Sequence, residues 1–238
     1  QIGGPFVLDE ADDVLFQDFH STKDARGSST GINDMRCSPG GCNRVAFVST
    51  TFDGINPGPL DSYVFYTAPN PSSSRCMILA DVLARQASGG THVSRIQGNQ
   101  QIIIVDSAFV QPDNGDTAFR FHRSVTNAYV ANTHIRGRMK LDSIDAGETV
   151  SVLNGIFDNV TVYNSVNRFF ATQTPMPNTG EVRNSRVYTT LGDDGRSVSV
   201  SPLRDGGGNE LLDWNGSSFP LPDSDGVVPN VERIGADR

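Results

Sequence analysis

Asn127-Ala128-Tyr129-Val130-Ala131-Asn132-Thr133 is the stretch that decides how this chain is read. Ala128 and Val130 alternate as one face of a strand does, Asn132 interrupts, and Ile135 restores an apolar residue three positions on. The same order of residue types recurs on either side. It reads Val45-x-Phe47-x-Ser49-x-x-Phe52, Cys76-x-Ile78-x-Ala80-x-x-Leu83 and Ile102-x-Ile104-x-Asp106-x-x-Phe109 before the quoted copy. After it come Val150-x-Val152-x-Asn154-x-x-Phe157 and Gly180-x-Val182-x-Asn184-x-x-Val187. Val14-x-Phe16-x-Asp18 is a first copy whose next apolar residue, Phe19, comes early.

The second apolar position of each copy is Phe16, Phe47, Ile78, Ile104, Val130, Val152 and Val182. The spacing between copies is long at first, shortens through the middle ones and lengthens again at the last. Unequal steps exclude a rigid leucine-rich or hexapeptide repeat. They fit coils of constant core with rim loops of varied length. Period-2 apolar residues alone would also suit an antiparallel sandwich. The polar position separates the two, because five of the seven copies carry Asn or Asp there: Asp18, Asp106, Asn132, Asn154 and Asn184. These residues tolerate the left-handed backbone of a sharp bend. In a parallel stack such bends lie one above another, and their amides can hydrogen-bond along the stack.

A second strand precedes the middle copies. Val93, Phe119 and Leu141 stand at one constant offset before Ile104, Val130 and Val152, with Phe169-Phe170 and Tyr63-Val64-Phe65 at similar distances before Val182 and Ile78. The expected fold is all-β, a right-handed parallel β-helix of seven or eight coils over residues 1–201. The pattern resembles the pectate-lyase-like, or right-handed β-helix repeat, superfamily over approximately residues 10–200, on the aligned apolar pairs and the Asn/Asp ladder. Those residues are signals of fold. The superfamily spans polysaccharide lyases, glycoside hydrolases, tailspikes, adhesins and surface proteins, so the resemblance implies no single reaction.

At 238 residues, with 37% apolar and 19% charged residues, the chain can bury one sizeable core. A net charge of −8 without a basic run argues against nucleic acid or an anionic membrane as partner. No apolar stretch approaches the roughly 18 residues of a membrane span, and no charged-then-apolar leader opens the sequence. A chain starting at Gln1 could already have lost a signal peptide, so that absence does not argue for the cytoplasm; cysteine usage leans towards export, and an extracellular or cell-surface location is expected. Cys37 and Cys42 bracket the turn Ser38-Pro39-Gly40-Gly41, which suits a small-loop disulfide, two unpaired thiols being the alternative. No His/Cys set has zinc spacing. Cys76, aligned with Val45 and Ile102, reads as a buried thiol acting as a small hydrophobe.

Residues 1–13 show no amphipathic helix to cap the first coil. Residues 202–238, with Gly206-Gly207-Gly208 and Trp214, read as an irregular tail over the last coil, with Trp214 or Phe219 as a plug. Missing caps are also what end-to-end stacking of subunits would require.

Positive charge gathers on the strand before the ladder. Alternation with Val93, Phe119 and Leu141 sets Ser94, Arg120 and Asp142 outward in one row. His92 and Lys140 fall in the row beside it, with Arg95 and His122 on the other side, and Arg123, Arg136 and Arg138 extend the patch. Arg120 or a neighbour pairing with a uronate carboxylate would ease removal of the adjacent C5 proton, with Lys140 or His122 as base. His92, Arg95, Arg123, Arg138 and Asp142 would then bind substrate. The plainer alternative is a sheet face carrying solvated charge ladders, with Arg120 and Asp142 paired. A hydrolase needs clustered carboxylates, and Asp106 and Asp142 do not supply them. Asp113-Asn114-Gly115-Asp116 and Asp193-Asp194-Gly195 offer oxygen ligands for Ca²⁺ but are better explained as ordinary Asx turns, so no cofactor is expected. The Asn159 and Asn215 sequons are at chance frequency for this composition. Two functions therefore stand: binding or lyase-like processing of an acidic polysaccharide along the sheet face, and a non-catalytic structural subunit whose uncapped coils stack end to end on copies of itself in an extracellular filament or appendage.

Overall fold

Every strand pairing in the computed structural model is parallel, and pairing follows chain order. The model describes residues 2–3, 7–9, 11–24, 33–36, 42–56, 63–67, 75–86, 92–98, 100–111, 117–122, 125–141, 152–164, 168–170, 172–173, 178–189 and 199–213. Among these residues there is no helix. One sheet holds thirteen strands and three smaller ones hold four, three and two. Phe16, Phe47, Leu79, Ile104, Val130, Phe157 and Val182 stand side by side across the large sheet. The chain thus returns to one lateral position on each pass, with loops of unequal length taking up the difference.

Sharp bends recur in two columns. Twelve described non-glycine residues have positive φ: Asp13, Asp18, Arg44, Ser49, Cys76, Asp81, Asp106, Asn127, Asn132, Asn154, Asn159 and Asn184. Wherever both columns are occupied the two bends are five residues apart, as in Asp13 and Asp18 or Asn127 and Asn132. Asn and Asp fill most of these places because their short polar side chains relieve the left-handed penalty by local hydrogen bonds. Between the bends runs a four-residue segment whose first and third side chains point inward, such as Ile102 and Ile104. Beyond the second bend, Phe52, Ala84, Phe109, Ile135, Val162, Val187 and Leu211 form the next inward row. A third side supplies Phe65, Val93, Phe119, Phe121, Met139 and Leu141. The three rows bury one continuous apolar core with two runs of packed aromatic rings, one beginning with Phe16 on Phe47 (4.8 Å, stacked) and ending at Phe65, the other passing from Phe109 through Phe121 on Phe157 (6.1 Å) to Phe169 and Phe170.

The polar ladder is real in part and shifted in part. Asn132 Nδ2 donates to Asp106 Oδ1 (3.0 Å) and Asn159 Nδ2 to Asn132 Oδ1 (2.9 Å), while Ser49 Oγ donates to Asp81 Oδ2 (2.9 Å). Asn184 Nδ2 donates to Asp158 Oδ1 (2.9 Å) instead of to Asn159. Asp18 occupies the first bend of this column, and its backbone N–H donates to Val48 O. Asn154 belongs to the other column, where its Nδ2 reaches Asn127 Oδ1 (3.3 Å). Phe157, not Val152, is the partner of Val130, and Val152 pairs with Val125 in a separate sheet.

The third copy, at Cys76–Leu83, is displaced by one residue. Met77 and Leu79 face the core beside Val45 and Phe47, so Ile78 points outward. Cys76 is accordingly a bend residue of intermediate exposure whose Sγ donates to Gln101 Oε1 (2.7 Å), and not a core thiol. This strand is apolar on both faces, so alternation does not specify which set turns inward. Stacking also continues past residue 201. Arg204–Asp205 pairs with Gly180–Arg183, and Glu210–Asp213 pairs with Arg186–Thr189. Cys37 lies outside the described residues, as do Trp214, Phe219, the two Asp-rich turns and Asn215. The Cys37–Cys42 bridge therefore remains an expectation, with Cys42 itself buried in the core.

Candidate functional site

The strands of the third side set basic residues in rows. Tyr66 pairs with Arg95. His92 bridges to Thr117 and Ile96 to Phe121, which sets Arg95 beside Arg120. Arg120 pairs with Lys140, and Lys140 with Thr172. Arg95, Arg120 and Lys140 thus occupy one row on successive strands, at the ~4.8 Å spacing of a sheet. A second row carries His92, Thr117 and Arg138. Ser94, expected to point outward, is buried and donates through Oγ to Ala118 O (2.9 Å). The His92–Thr117 and Ile96–Phe121 bridges set Ser94 level with the inward Phe119, one residue away from the expected alignment with Arg120.

Tyr63 organises the cluster. Its ring stacks on His92 with centroids 4.9 Å apart, and its Oη accepts from Arg120 Nη1 (3.2 Å). The Arg95 guanidinium lies 5.7 Å from the Tyr63 centroid and 5.6 Å from that of Tyr66. Such contacts are worth about 0.5–1 kcal/mol when exposed and more when desolvated. Gln97 Nε2 donates to Tyr66 Oη (3.0 Å), fixing the second ring. Neither tyrosine stands out in the sequence as a site residue. The available signal is a pair of aromatics, at 63 and 66, flanking two inward apolar residues.

Burial divides the candidate residues. Arg120 is 5% exposed and His122 1% exposed, so both act from inside the wall. Arg95, His92, Arg138 and Lys140 are half-buried and keep surface for a ligand. Arg123 and Asp142 lie outside the described residues, and with them the proposed Arg120–Asp142 pair. His122 at this depth cannot reach a polymer as its base, which leaves Lys140 as the more accessible amine.

A second polar constellation lies on the side after the second bend. Asp53 is buried and accepts from Arg85 Nε and from Arg85 Nη2 (3.0 Å), while His20 Nε2 lies 2.8 Å from Asp53 Oδ2. Residues 20, 53 and 85 come from three successive passes of the chain, so no local motif announces them. Further along the same side, Tyr163 and Tyr188 stack at 4.8 Å and 9°. Burial, with Tyr188 close by, pushes the Tyr163 phenol up to about 12. Burial alone holds His134 below the usual histidine range. Among the described residues no group of three or more His, Cys, Asp or Glu could hold a metal. No helix among them is long and apolar enough to cross a membrane.

The class these observations define is an all-strand protein of stacked parallel sheets with a basic, tyrosine-lined side. No protein-family model matches the chain, and no curated protein or solved structure matches it.

Proposed function

We propose that the chain is a right-handed parallel β-helix of seven or eight coils, akin to the pectate-lyase-like superfamily, that binds an acidic polysaccharide outside the cell. Handedness rests on the rule that parallel strands joined by a crossover within one sheet are right-handed in about 98% of cases. The observation carrying the function is the row of Arg95, Arg120 and Lys140 beside Tyr63 and Tyr66. A linear polyanion lying across the strands meets the half-buried Arg95 and Lys140 on either side of the buried Arg120, and the half-buried Tyr66 ring gives a sugar an apolar edge with a polar rim. Arg120 serves mainly to hold Tyr63, while Arg95, Lys140 and Arg138 meet carboxylates.

Titration with a polyuronate and with a neutral glucan of equal length tests the reading. Binding of the polyuronate alone, weakened by salt and by Arg95→Ala or Lys140→Ala, is expected. Equal affinity for both polymers, or none for either, would overturn it. Growth of ultraviolet absorbance from unsaturated uronate, lost in Lys140→Ala, would extend binding to a lyase step with Lys140 as base.

A further inference from the structure

Four large apolar side chains are exposed among the described residues: Leu15 at 60%, Ile103 at 42%, Tyr129 at 37% and Ile78 at 36%. They are not scattered. Register places Leu15, Ala46, Ile78, Ile103, Tyr129 and Ile156 side by side in one outward row on six adjacent strands. The neighbouring outward row is Gln17, Val48, Ala80, Val105, Ala131 and Asp158. Among the described residues, charge appears in these rows only at Asp158 and in the next strands, at Glu181, Arg183 and Arg204. A single exposed leucine means nothing, but a contiguous apolar sheet face marks a surface that is covered by something.

The order of side chains indicates what covers it. Consider a two-fold axis along the strand direction, between the Ile78 and Ile103 strands. It sets Ile78 against Ile103 of a second copy, Ala46 against Tyr129 and Leu15 against Ile156. In the neighbouring row it sets Ala80 against Val105, Val48 against Ala131, and the Gln17 amide against the Asp158 carboxylate. The largest residue of the first row meets the smallest, each valine of the second row meets an alanine, and the two polar residues meet each other. An isologous interface has this property, since each patch must complement itself. We propose that this face pairs two copies of the chain with their stacks reversed, sheet on sheet at the ~10 Å of face-to-face packing.

The footprint is ~24 Å along the stack by ~13 Å along the strands, from spacings of about 4.8 Å and 3.3 Å. That is roughly 300 Å² per copy against the ~800 Å² per partner of a standard stable interface. The pairing is therefore reversible and concentration-dependent. It is lateral, and it leaves the ends of the stack and the Arg95 face untouched.

Sedimentation velocity of the full chain across a wide concentration range reads the outcome. The wild type is expected to shift from monomer to dimer, and Ile103→Lys, on an already exposed position, to raise the dissociation constant at least tenfold with an unchanged far-ultraviolet spectrum. Ala46→Tyr and Tyr129→Ala should each weaken pairing, and the double variant should restore it. Ala46 and Tyr129 are three strands apart in one copy, ~14 Å, so such rescue requires contact between copies. A monomer at every concentration, or a dimer indifferent to Ile103→Lys, would overturn the proposal. So would a double variant no better than the singles.

Discussion

Substitution of Asn132 separates the two reasons for an amide at a bend. Its φ of 47° is left-handed, which costs an ordinary L residue about 1–2 kcal/mol. Its side chain also makes two ladder hydrogen bonds, donating to Asp106 and accepting from Asn159. Each is worth about 0.5–1.5 kcal/mol net, and their exposure puts the pair near ~1 kcal/mol in sum. Asn132→Ala loses both contributions and should destabilise the fold by about 2–3 kcal/mol. Asn132→Gly keeps the bend accessible and loses only the ladder, apart from an unfolded-state entropy term of a few tenths, so about 1–1.5 kcal/mol is expected. Urea unfolding followed by circular dichroism, with unchanged m-values, measures both. A Gly variant as unstable as the Ala variant would refute the backbone argument. A Gly variant as stable as the wild type would show that the ladder bonds contribute nothing.

Gly180 and Gly207 both have positive φ, yet a Cβ at Gly180 would lie 1.9 Å from Gly155 O while one at Gly207 meets nothing within 4 Å. Gly180→Ala should therefore prevent native stacking or cost more than ~4 kcal/mol, and Gly207→Ala only the ~1 kcal/mol of backbone strain; equal midpoints in urea would contradict this. Tyr163 has a folded pKa raised to about 12, above the ordinary phenol value of about 10. Its contribution to stability is full below pH ~10 and is lost as pH rises through the folded value, so Tyr163→Phe should lessen unfolding in strong alkali. Removing the Asp53 carboxylate with Asp53→Ala leaves Arg85 without its partner in a largely buried setting and should cost ~3 kcal/mol, read as a fall in thermal midpoint. Thiol titration of the denatured, unreduced chain should count one reactive cysteine, Cys76, if Cys37 and Cys42 are joined; three would refute the bridge.

The sequence by itself determined that strands stack in parallel around a Val, Ile and Phe core, with Asn and Asp at recurrent bends. Both properties are local. Alternation marks a strand wherever its faces differ, and tolerance of left-handed φ belongs to the residue type. Only the tertiary structure decided register. Around Cys76 both faces of the strand are apolar, so a shift of one residue leaves the pattern intact and exchanges inside for outside. Asn154 and Asn159 both sit at bends, five residues apart, and only hydrogen bonding across strands assigns Asn159 to the column of Asn132. The basic side was legible as a cluster of residue types. Its arrangement was not, because Arg95, Arg120 and Lys140 meet through loops of unequal length and a register shift beside Thr117. The Tyr63 hub and the apolar row from Leu15 to Ile156 were hidden for the same reason. Adjacency in a stack is set by long chain returns of varying length, and no local periodicity encodes them.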